Sequence, residues 1–575
     1  MAHRFSWLWV FVVVAVLVAA AILVWGRRAE YGFATRVTPH TTLVVDLYGS
    51  IPEDLAPASR GQFFVWEGRT LWDYVLGIDR ATRDPNVDAL LVKLSDLDVG
   101  WAKLDELRGA MVRFSAAGKD VGVWLESGGD AEFYLASAAT VIYSAPGAFL
   151  DVDGLMASSF YAQEGLEKIG VQFDLERVGE YKDAPEVYTE RAASAPSREV
   201  MRSLLGESQS LYLEAICASR EWSVEEARQV LDAGPYRAEE ALQAGIVDDL
   251  FLESDLLSEA ADPFYMNQLD FEDYFGTLDT APRGGRRIAL VFASGTIQTG
   301  ESEMDPFGGE RVLGAETLIE ALGEAADDAR VKAVVLRVDS PGGDTYASRL
   351  LYEEVLRTAA RKPVVASFSD LAASGGYYLA MGADTLVAQP GTLTGSVGIF
   401  GGKVVYSGLL DKLGIGVETY AEGARAQFQS PFRPYTSAER DKLVAHLLGE
   451  YRDFVQAVSA NRDRDEEEIE GLARGRVWSG SQAFVRGLVD TLGGFTEAIQ
   501  LARQRAGLRD DEEVDYVVYP RVHYTLLQRF LTDLFEETQV ASVWLPRPLA
   551  RALSTWRNAP AGPSLAWLPY RIEIR

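Results

Sequence analysis

The chain is long and strongly acidic. At 575 residues it exceeds what one compact domain usually holds, so we expect at least two domains. A net charge of −30 counts against a nucleic acid partner, because phosphate contacts need clustered Lys and Arg. The single cysteine, Cys217, rules out an intramolecular disulfide, and the four scattered histidines form no metal-ligand cluster. We therefore expect neither a metal nor a cofactor.

The first predicted element is an apolar helix close to the N-terminus. Residues 7–26 carry no charge and are nearly all apolar. A helix of that length spans about 30 Å, which matches a bilayer core, so residues 1–28 are predicted to be an uncleaved membrane anchor. A cleaved signal peptide is the alternative, although the apolar run continues past Ala21 instead of giving way to a polar mature start. The flanking arginines favour, by one charge, a cytoplasmic position for the rest of the chain.

Beyond this helix the sequence repeats itself. Residues 87–94 resemble residues 331–338, and residues 166–170 resemble residues 410–414, with an offset of 244 residues in both pairs. Self-similarity over such a length predicts two tandem copies of one domain.

The repeat sets the predicted domain boundaries. The first copy is expected at residues 40–260 and the second at residues 288–508. The stretch 262–287 contains turn-forming Pro and Gly and is the predicted linker. Residues 509–575 form a C-terminal extension. Within it, the amphipathic run 524–535 packs on its own domain or contacts a neighbouring subunit or the membrane surface.

Each copy alternates short apolar runs with segments of helical spacing. In the second copy, strands are expected at 288–292, 333–338 and 364–368, and helices at 317–326, 348–358, 374–381, 437–460, 466–471 and 481–487. Alternation of this kind indicates βαβ units, so the predicted fold class is α/β with a mainly parallel sheet in each copy.

A serine among small residues joins one of these strands to the helix that follows. Ser374 is preceded by two alanines and followed by Gly375 and Gly376. A turn at this point places the hydroxyl at the positive end of a helix, beside free backbone N–H groups. That setting suits a nucleophile whose attack creates an oxyanion. The alternative is structural, because Ser is a common N-cap and Gly-Gly a common turn.

The repeat allows the two copies to be compared position by position. Ser374 falls opposite Asp130, so the first copy lacks the hydroxyl. Lys182 falls opposite Ala426, so the second copy lacks the amine. A complementary pattern of this kind predicts an active site that is divided between the copies.

The candidate site therefore pairs a serine with a lysine. None of the histidines lies in either motif, and a buried Lys182 can serve as the general base once its pKa falls from about 10.4 towards neutrality. Ser396 is a candidate to orient the amine, while Gly343 and Gly375 could offer N–H groups to the oxyanion. The alternative is that Lys182 lies on the surface and that Ser396 and Gly343 only form turns.

Taken together, these motifs resemble the long form of bacterial signal peptide peptidase A, a family of membrane-anchored serine proteases. The resemblance extends over about residues 40–520. It implies tandem ClpP/crotonase-like domains, with Ser374 as nucleophile, Lys182 as general base and Ser396 assisting the lysine.

The resemblance also implies a substrate, an assembly and a location. The expected substrates are cleaved signal peptides and other short apolar peptides, and the expected assembly is a homotetramer. The catalytic domains would lie on the extracytoplasmic side of the inner (cytoplasmic) membrane, which is opposite to the weak preference of the flanking charges. Two other functions remain open, namely an inactive membrane-anchored scaffold and a crotonase-like acyl-CoA enzyme. Asp370, four residues before Ser374, has no predicted role.

Overall fold

A computed structural model describes most of the chain. The described residues are 37–54, 68–258, 261–278, 285–304, 311–509, 512–520 and 564–567. The predicted anchor at residues 7–26 and the amphipathic run 524–535 lie outside these ranges. Within them, no helix has both the length and the apolar character that a membrane span requires.

The first copy alternates strands and helices from residue 41 to residue 277. Its strands are β1 (Thr41–Gly49), β2 (Val87–Leu97), β3 (Asp120–Leu125), β4 (Gly128–Gly129), β5 (Val141–Ser144), β6 (Phe149–Asp151), β7 (Gln172–Val178), β8 (Tyr236–Arg237), β9 (Asp249–Leu250) and β10 (Gln268–Asp270). Its helices are α1 (Leu71–Arg83), α2 (Trp101–Ala116), α3 (Asp130–Ala136), α4 (Gln163–Ile169), α5 (Glu186–Thr189), α6 (Ala195–Arg220), α7 (Val224–Ala233), α8 (Ala238–Ala244) and α9 (Phe271–Thr277), with a 3₁₀ turn at Glu253–Leu257.

The second copy also alternates strands and helices. Its strands, and two strands of the predicted C-terminal extension (β23 and β24), are β11 (Arg287–Ser294), β12 (Thr296–Gln298), β13 (Glu303–Met304), β14 (Arg311–Gly314), β15 (Val331–Ser340), β16 (Gly342–Asp344), β17 (Val364–Ala373), β18 (Thr385–Ala388), β19 (Leu393–Gly395), β20 (Ile399–Val405), β21 (Val477–Ser479), β22 (Thr491–Leu492), β23 (Asp515–Tyr519) and β24 (Leu565–Trp567). Its helices are α10 (Ala315–Asp327), α11 (Thr345–Ala359), α12 (Gly375–Ala380), α13 (Ser407–Lys412), α14 (Ser437–Arg462), α15 (Glu466–Leu472), α16 (Gly480–Val485) and α17 (Phe495–Arg505).

Each copy is built on a parallel sheet of the same design. The strand order is β10-β1-β2-β3-β5-β9 in the first copy, and β23-β11-β15-β17-β18-β22 runs through the larger sheet of the second. All neighbours along both paths are parallel. The sequence expectation of an α/β fold with mainly parallel sheets is therefore confirmed.

Apolar residues cover both faces of each main sheet, which explains the continuous apolar runs in the sequence. In the second copy, residues of α10, α11, α12 and α14 pack on one face, and residues of α17 pack on the other. Helix boundaries follow local signals. At the start of α14, for example, Thr436 and Glu439 form a capping box that satisfies the first N–H groups.

The predicted helices and strands of the second copy are present, although their ends differ from the prediction by a few residues: most are longer, while the helices predicted at 374–381 and 481–487 end earlier, at Ala380 and Val485. One extension matters for function, because β17 runs on from residue 368 to Ala373 and ends directly before Ser374. The additional residues pair with β19, with Ala373 opposite Gly395. Their small side chains gave no apolar pattern, so the sequence could not reveal this pairing.

The stretch predicted as a linker is partly folded onto the first copy. Within it, β10 pairs with β1, and Phe264 and Phe271 are buried against that copy's sheet and helices. The corresponding strand of the second copy is β23, which lies in the predicted C-terminal extension and pairs with β11. Each copy thus ends one strand later than the repeat indicated, because these closing strands share no recognisable sequence.

A third sheet joins the two copies. Its order is β13-β14-β12-β16-β24-β20-β7, so it combines β7 of the first copy with five strands of the second and with the tail strand β24. Lys182, which follows β7, and Ser396, which precedes β20, lie beside Ser374, as described next.

Candidate active site

Ser374 occupies a sharp turn between β17 and α12. Its backbone has φ 55° and ψ −117°, a region that L-residues seldom adopt. The turn is held in place by the Ser374 N–H, which donates to the Gly395 carbonyl at 2.8 Å. The side chain is buried. A strained strand-to-helix turn that presents a hydroxyl is typical of nucleophilic serines.

Ser396 occupies the corresponding position one strand away. Ala373 and Gly395 are the last residues of the adjacent strands β17 and β19, and they pair with each other. Ser374 and Ser396 each follow directly after the end of their strand. Ser396 also has a positive φ, 52°, and its N–H donates to the Arg476 carbonyl at 2.7 Å. The two hydroxyl residues are therefore brought together by strand register, although 22 residues separate them in the sequence.

Lys182 reaches this point from the first copy. It follows β7 in a turn that begins at Gly179, where a Cβ atom would lie only 2.4 Å from the backbone of Arg474 in the second copy. The Tyr181 N–H donates to the Arg474 carbonyl at 2.9 Å, and Arg177 holds the Lys182 carbonyl at 3.1 Å. The turn is thus anchored against the second copy on one side and against β7 on the other.

The lysine amine contacts both serines. Lys182 Nζ lies 2.8 Å from Ser374 Oγ, 3.0 Å from Ser396 Oγ and 3.3 Å from the Ser396 carbonyl oxygen. Its side chain is 1% exposed. Burial lowers the pKa of Lys182 to about 7, against a smaller opposing effect of Asp183. An amine with this pKa is partly neutral at physiological pH and can accept a proton.

Gly343 and Gly375 lie on the backbone around Ser374. Ser340 pairs with Ala372, so the loop after β15 runs alongside the end of β17. Gly343 follows in β16, where a Cβ atom would lie 2.0 Å from the carbonyl oxygen of Ile297. Only glycine fits there without moving the backbone. Gly375 is the first residue of α12, where helical N–H groups have no partner within the helix.

A strand of the C-terminal extension lies across this edge of the site. In β24, Ala566 is opposite Gly343 in an antiparallel ladder, and Leu565 is opposite Phe400 of β20. Leu565 packs against Ala184 and Phe400, which are both buried. Sequence reasoning missed this strand, because three residues carry no periodicity that could be recognised.

Behind the site, a buried ionic cluster crosses between the copies. Arg337 of β15 is fully buried and forms two hydrogen bonds with Glu53, at 2.8 and 3.0 Å, and an ion pair with Glu106 at 2.7 Å. Burial acts to raise the pKa of Glu53, but Arg337 and Lys103 outweigh it and lower that pKa to about 2. For Glu106 burial prevails and raises the pKa to about 7.

Asp370, which had no predicted role, belongs to the same cluster. Its carboxylate accepts hydrogen bonds from the N–H groups of Gly100 and Lys103, at 3.0 and 3.1 Å. These are N–H groups at the start of α2, and Gly100 provides no side-chain cap of its own. A residue of β17 therefore caps a helix of the first copy, four residues before Ser374.

In the part of the chain that the structure describes, the His, Cys, Asp and Glu side chains form no group of three or more that could hold a metal ion.

Comparison with known proteins identifies the family of the chain. The sequence profile of Peptidase family S49 matches residues 113–265 and 357–509, which together make up more than half of the chain. The chain therefore belongs to peptidase family S49 and is a serine protease of the SppA type. Of the three functions that the sequence left open, family membership selects the protease.

Similar proteins come from bacteria and from a plant. The chain is 31% identical over 507 residues to Protease 4 of Haemophilus influenzae, covering 84% of this chain and 81% of that protein. It is 30% identical over 505 residues to Protease 4 of Salmonella typhi, with 84% and 80% covered. For the chloroplastic serine protease SPPA of Arabidopsis thaliana, the identity is 29% over 501 residues, with 84% and 72% covered. A solved structure of a mutant ClpP1 from Listeria monocytogenes is 12% identical, with 36% of this chain and 94% of that chain covered and a TM-score of 0.25.

Proposed function

We propose that this serine protease cleaves peptide bonds with Ser374 as nucleophile and Lys182 as general base. One observation carries the proposal, namely the 2.8 Å contact between Lys182 Nζ and Ser374 Oγ in a buried setting. A base must lie within hydrogen-bond reach of the proton that it removes, and this pair meets that condition.

The reaction would proceed through an acyl-enzyme. Ser374 Oγ bonds to the substrate carbonyl carbon while its proton passes to neutral Lys182. The resulting oxyanion is stabilised by N–H groups of Gly343 and Gly375, and its collapse breaks the C–N bond. The lysine ammonium gives its proton to the leaving amine. The neutral lysine then takes a proton from water, which attacks the ester carbonyl carbon. As the bond from that carbon to Ser374 Oγ breaks, the lysine returns the proton to Oγ, which releases the acid and restores Ser374 and the neutral amine.

Ser396 is proposed to hold the amine in position. With Ser396 Oγ and the Ser396 carbonyl both in contact with Nζ, the amine has fixed partners besides Ser374. Its lone pair is thereby directed at the nucleophile, which is a positioning role.

The proposed substrate is a short, apolar and extended peptide. The tail strand β24 supports this, because it runs antiparallel to Gly342–Asp344 as a bound peptide could. The apolar contact of Leu565 with Ala184 and Phe400 supports a preference for aliphatic side chains next to the catalytic lysine. Cleaved signal peptides have this character and are the substrates we propose.

Location and assembly are part of the same proposal. Residues 7–26 would anchor the chain in the inner membrane, with the catalytic copies on the extracytoplasmic side. A homotetramer is proposed from the family resemblance.

Hydrolysis of a fluorogenic apolar peptide tests the nucleophile. Ser374→Ala should lower kcat/KM by about 10⁴-fold, and a fluorophosphonate probe should label Ser374 in the wild type only. The matched control is Asp130→Asn at the corresponding position of the first copy, which should retain activity. If Ser374→Ala kept full activity with an intact fold, the assignment would be wrong.

A further inference from the structure

One short segment of the second copy contacts both Ser396 and the turn that carries Lys182. It consists of residues 474–476, between α15 and β21, and will be called the spacer segment. The Tyr181 N–H donates to the carbonyl of its first residue at 2.9 Å, and the Ser396 N–H donates to the carbonyl of its last residue at 2.7 Å. The spacer segment therefore holds the residue before Lys182 on one side and Ser396 on the other.

The middle residue of the spacer segment, Gly475, lies directly against the Lys182 backbone. A Cβ atom on Gly475 would lie 2.4 Å from Lys182 N and 2.6 Å from both Cα and Cβ of the lysine. The Gly475 N–H donates to the carbonyl of Val397 at 2.7 Å, and a Cβ atom on Gly398 would lie 2.7 Å from Gly475 Cα. Both neighbouring turns thus approach so closely that only a residue without a side chain fits between them.

The backbone of the spacer segment is strained. Arg474 and Gly475 have φ 55° and 84°, so two consecutive residues lie in the left-handed region. A residue with a side chain adopts this conformation only at an energetic cost. The Arg474 N–H donates to Tyr451 Oη at 3.3 Å, which helps to hold the conformation. Strain of this kind persists only where the surrounding structure enforces it, and it is concentrated at functional sites.

The first copy has an unstrained backbone at the corresponding place. In the antiparallel pairs β6·β8 and β19·β21, Tyr236 and Trp478 lie opposite residues that the offset of 244 relates to each other. Residues 474–476 therefore correspond to residues 232–234. The first two of these end helix α7, and Gly234 has φ −65°. The left-handed backbone thus occurs in the copy that has the serine and not at the matching described residues of the other.

The last residue of the spacer segment also binds the first copy through its side chain. Arg476 Nη1 lies 2.5 Å from Glu199 Oε1 of α6. The guanidinium lies over the Tyr181 ring, with Cζ 4.9 Å from the ring centroid. Arg476 therefore contacts the residue before Lys182 with its side chain, while its carbonyl holds Ser396.

We propose that residues 474–476 set the position of Lys182 relative to Ser396, and that Gly475 is a positioning residue for the reaction. The proposal rests on the role of general base proposed above for Lys182. Carbon atoms that are not bonded settle about 3.5–4.0 Å apart, so a methyl group on Gly475 displaces the lysine backbone by about 1 Å. Gly475 acts through the lysine and touches neither the substrate nor a reacting atom.

Hydrolysis of the fluorogenic apolar peptide by the full chain tests this role. Gly475→Ala should lower kcat by about 10²-fold with KM unchanged, because the amine leaves its place beside Ser374 Oγ. A displaced amine is also better hydrated, so the pKa of Lys182 rises from about 7. The pH at which kcat/KM is half its maximum should therefore rise by about one unit.

The matched control is Gly507→Ala. Gly507 has φ 65°, so an alanine there bears the same kind of backbone strain, but no atom of the described residues lies within 4 Å of the Cβ position. This variant should keep the kcat and the pH profile of the wild type, even if it melts at a lower temperature. A folded Gly475→Ala with wild-type kcat and pH profile, or equal changes in both variants, would overturn the proposal.

Lys182→Met, measured alongside, separates this proposal from the proposed chemistry. If Lys182→Met is inactive while Gly475→Ala is fully active, the lysine keeps its role and only the positioning proposal fails. If Lys182→Met turns over like the wild type, the assignment of the base fails, and the positioning proposal fails with it.

A second variant keeps the proposal testable if Gly475→Ala does not fold. Arg476→Met loses the ion pair with Glu199 and the cation over Tyr181, so it should lower kcat by about tenfold and move the pH profile in the same direction. Arg476→Lys, which keeps the charge, should recover part of the rate. A folded Arg476→Met with the kcat and pH profile of the wild type would then overturn the proposal.

Discussion

Two positions 244 residues apart, Asp130 at the start of α3 and Ser374 just before α12, both lie between a strand and a helix in their respective copies. Ser374 meets an amine that the other copy delivers after β7. Asp130 is buried and accepts a hydrogen bond from the Gly154 N–H at 3.1 Å, and burial raises its pKa to about 7. Where Ser374 has Lys182, the repeat gives Asp130 only Ala426. A corresponding position in the repeat is therefore not sufficient for an active site, which needs the right side chains from both copies.

The largest expected effect is the loss of the amine. Lys182→Met should lower kcat/KM by about 10⁴-fold, because the hydroxyl then has no base. The matched control is Ala426→Met, at the exposed position of the second copy that corresponds to Lys182, and it should leave peptide hydrolysis unchanged. A Lys182→Met enzyme with wild-type turnover would remove the lysine from the mechanism.

The glycine of β16 comes next. Gly343→Ala should lower kcat by about 10³-fold, because a methyl group 2.0 Å from the Ile297 carbonyl displaces the strand that offers the oxyanion donor. The first copy has Val99 at this position, so Val99→Ala is the control and should affect stability only. Steady-state kinetics on both variants distinguishes them, and equal kinetic losses would mean that Gly343 has no special role.

The positioning serine should matter less. Ser396→Ala should lower kcat by about 10- to 100-fold with KM unchanged, since the amine keeps Ser374 and loses one fixed partner. The pH profile should also change shape, which a purely structural substitution would not cause. Ser396→Thr, which keeps the hydroxyl, should recover part of the rate. A rise in KM alone would instead place Ser396 in substrate binding.

The pH dependence follows from the pKa of Lys182. Burial lowers that pKa to about 7, so the amine is protonated and inactive below this pH and neutral above it. We expect kcat/KM to fall about tenfold per pH unit below neutrality and to level off above pH ~8. Measurement across pH 5 to 10 with the fluorogenic peptide checks the sign. A rate that still rose through pH 10 would mean that Lys182 titrates as an exposed lysine.

The smallest effect concerns the cap that holds the copies together. Asp370→Asn should lower the free energy of unfolding by about 1–3 kcal/mol, since two N–H groups at the start of α2 lose a charged acceptor. The corresponding residue of the first copy is the exposed Glu126, and Glu126→Gln should be neutral. Denaturant unfolding compares them, and equal stabilities would show that the cap contributes nothing.

Much of the candidate site could be predicted because the chain contains its own comparison. The offset of 244 residues identified Ser374 and Lys182 as complementary, and the structure places them in contact. The roles of Asp370 and of the tail strand could not be predicted in this way. Asp370 acts on a helix 270 residues earlier in the chain, and β24 is recognisable only by the strands beside it.

By itself, the sequence determined the alternation of strands and helices, the two copies, and the candidate residues for the chemistry, because these are encoded in local periodicity and in repetition. Only the tertiary structure decided that β17 ends at Ala373 and that strand register places Ser396 beside Ser374. It also decided that Lys182 is buried in contact with both serines. Register and burial are properties of neighbouring elements. The pKa that would make Lys182 a base arises from removal of the amine from water, which no single stretch of sequence can specify.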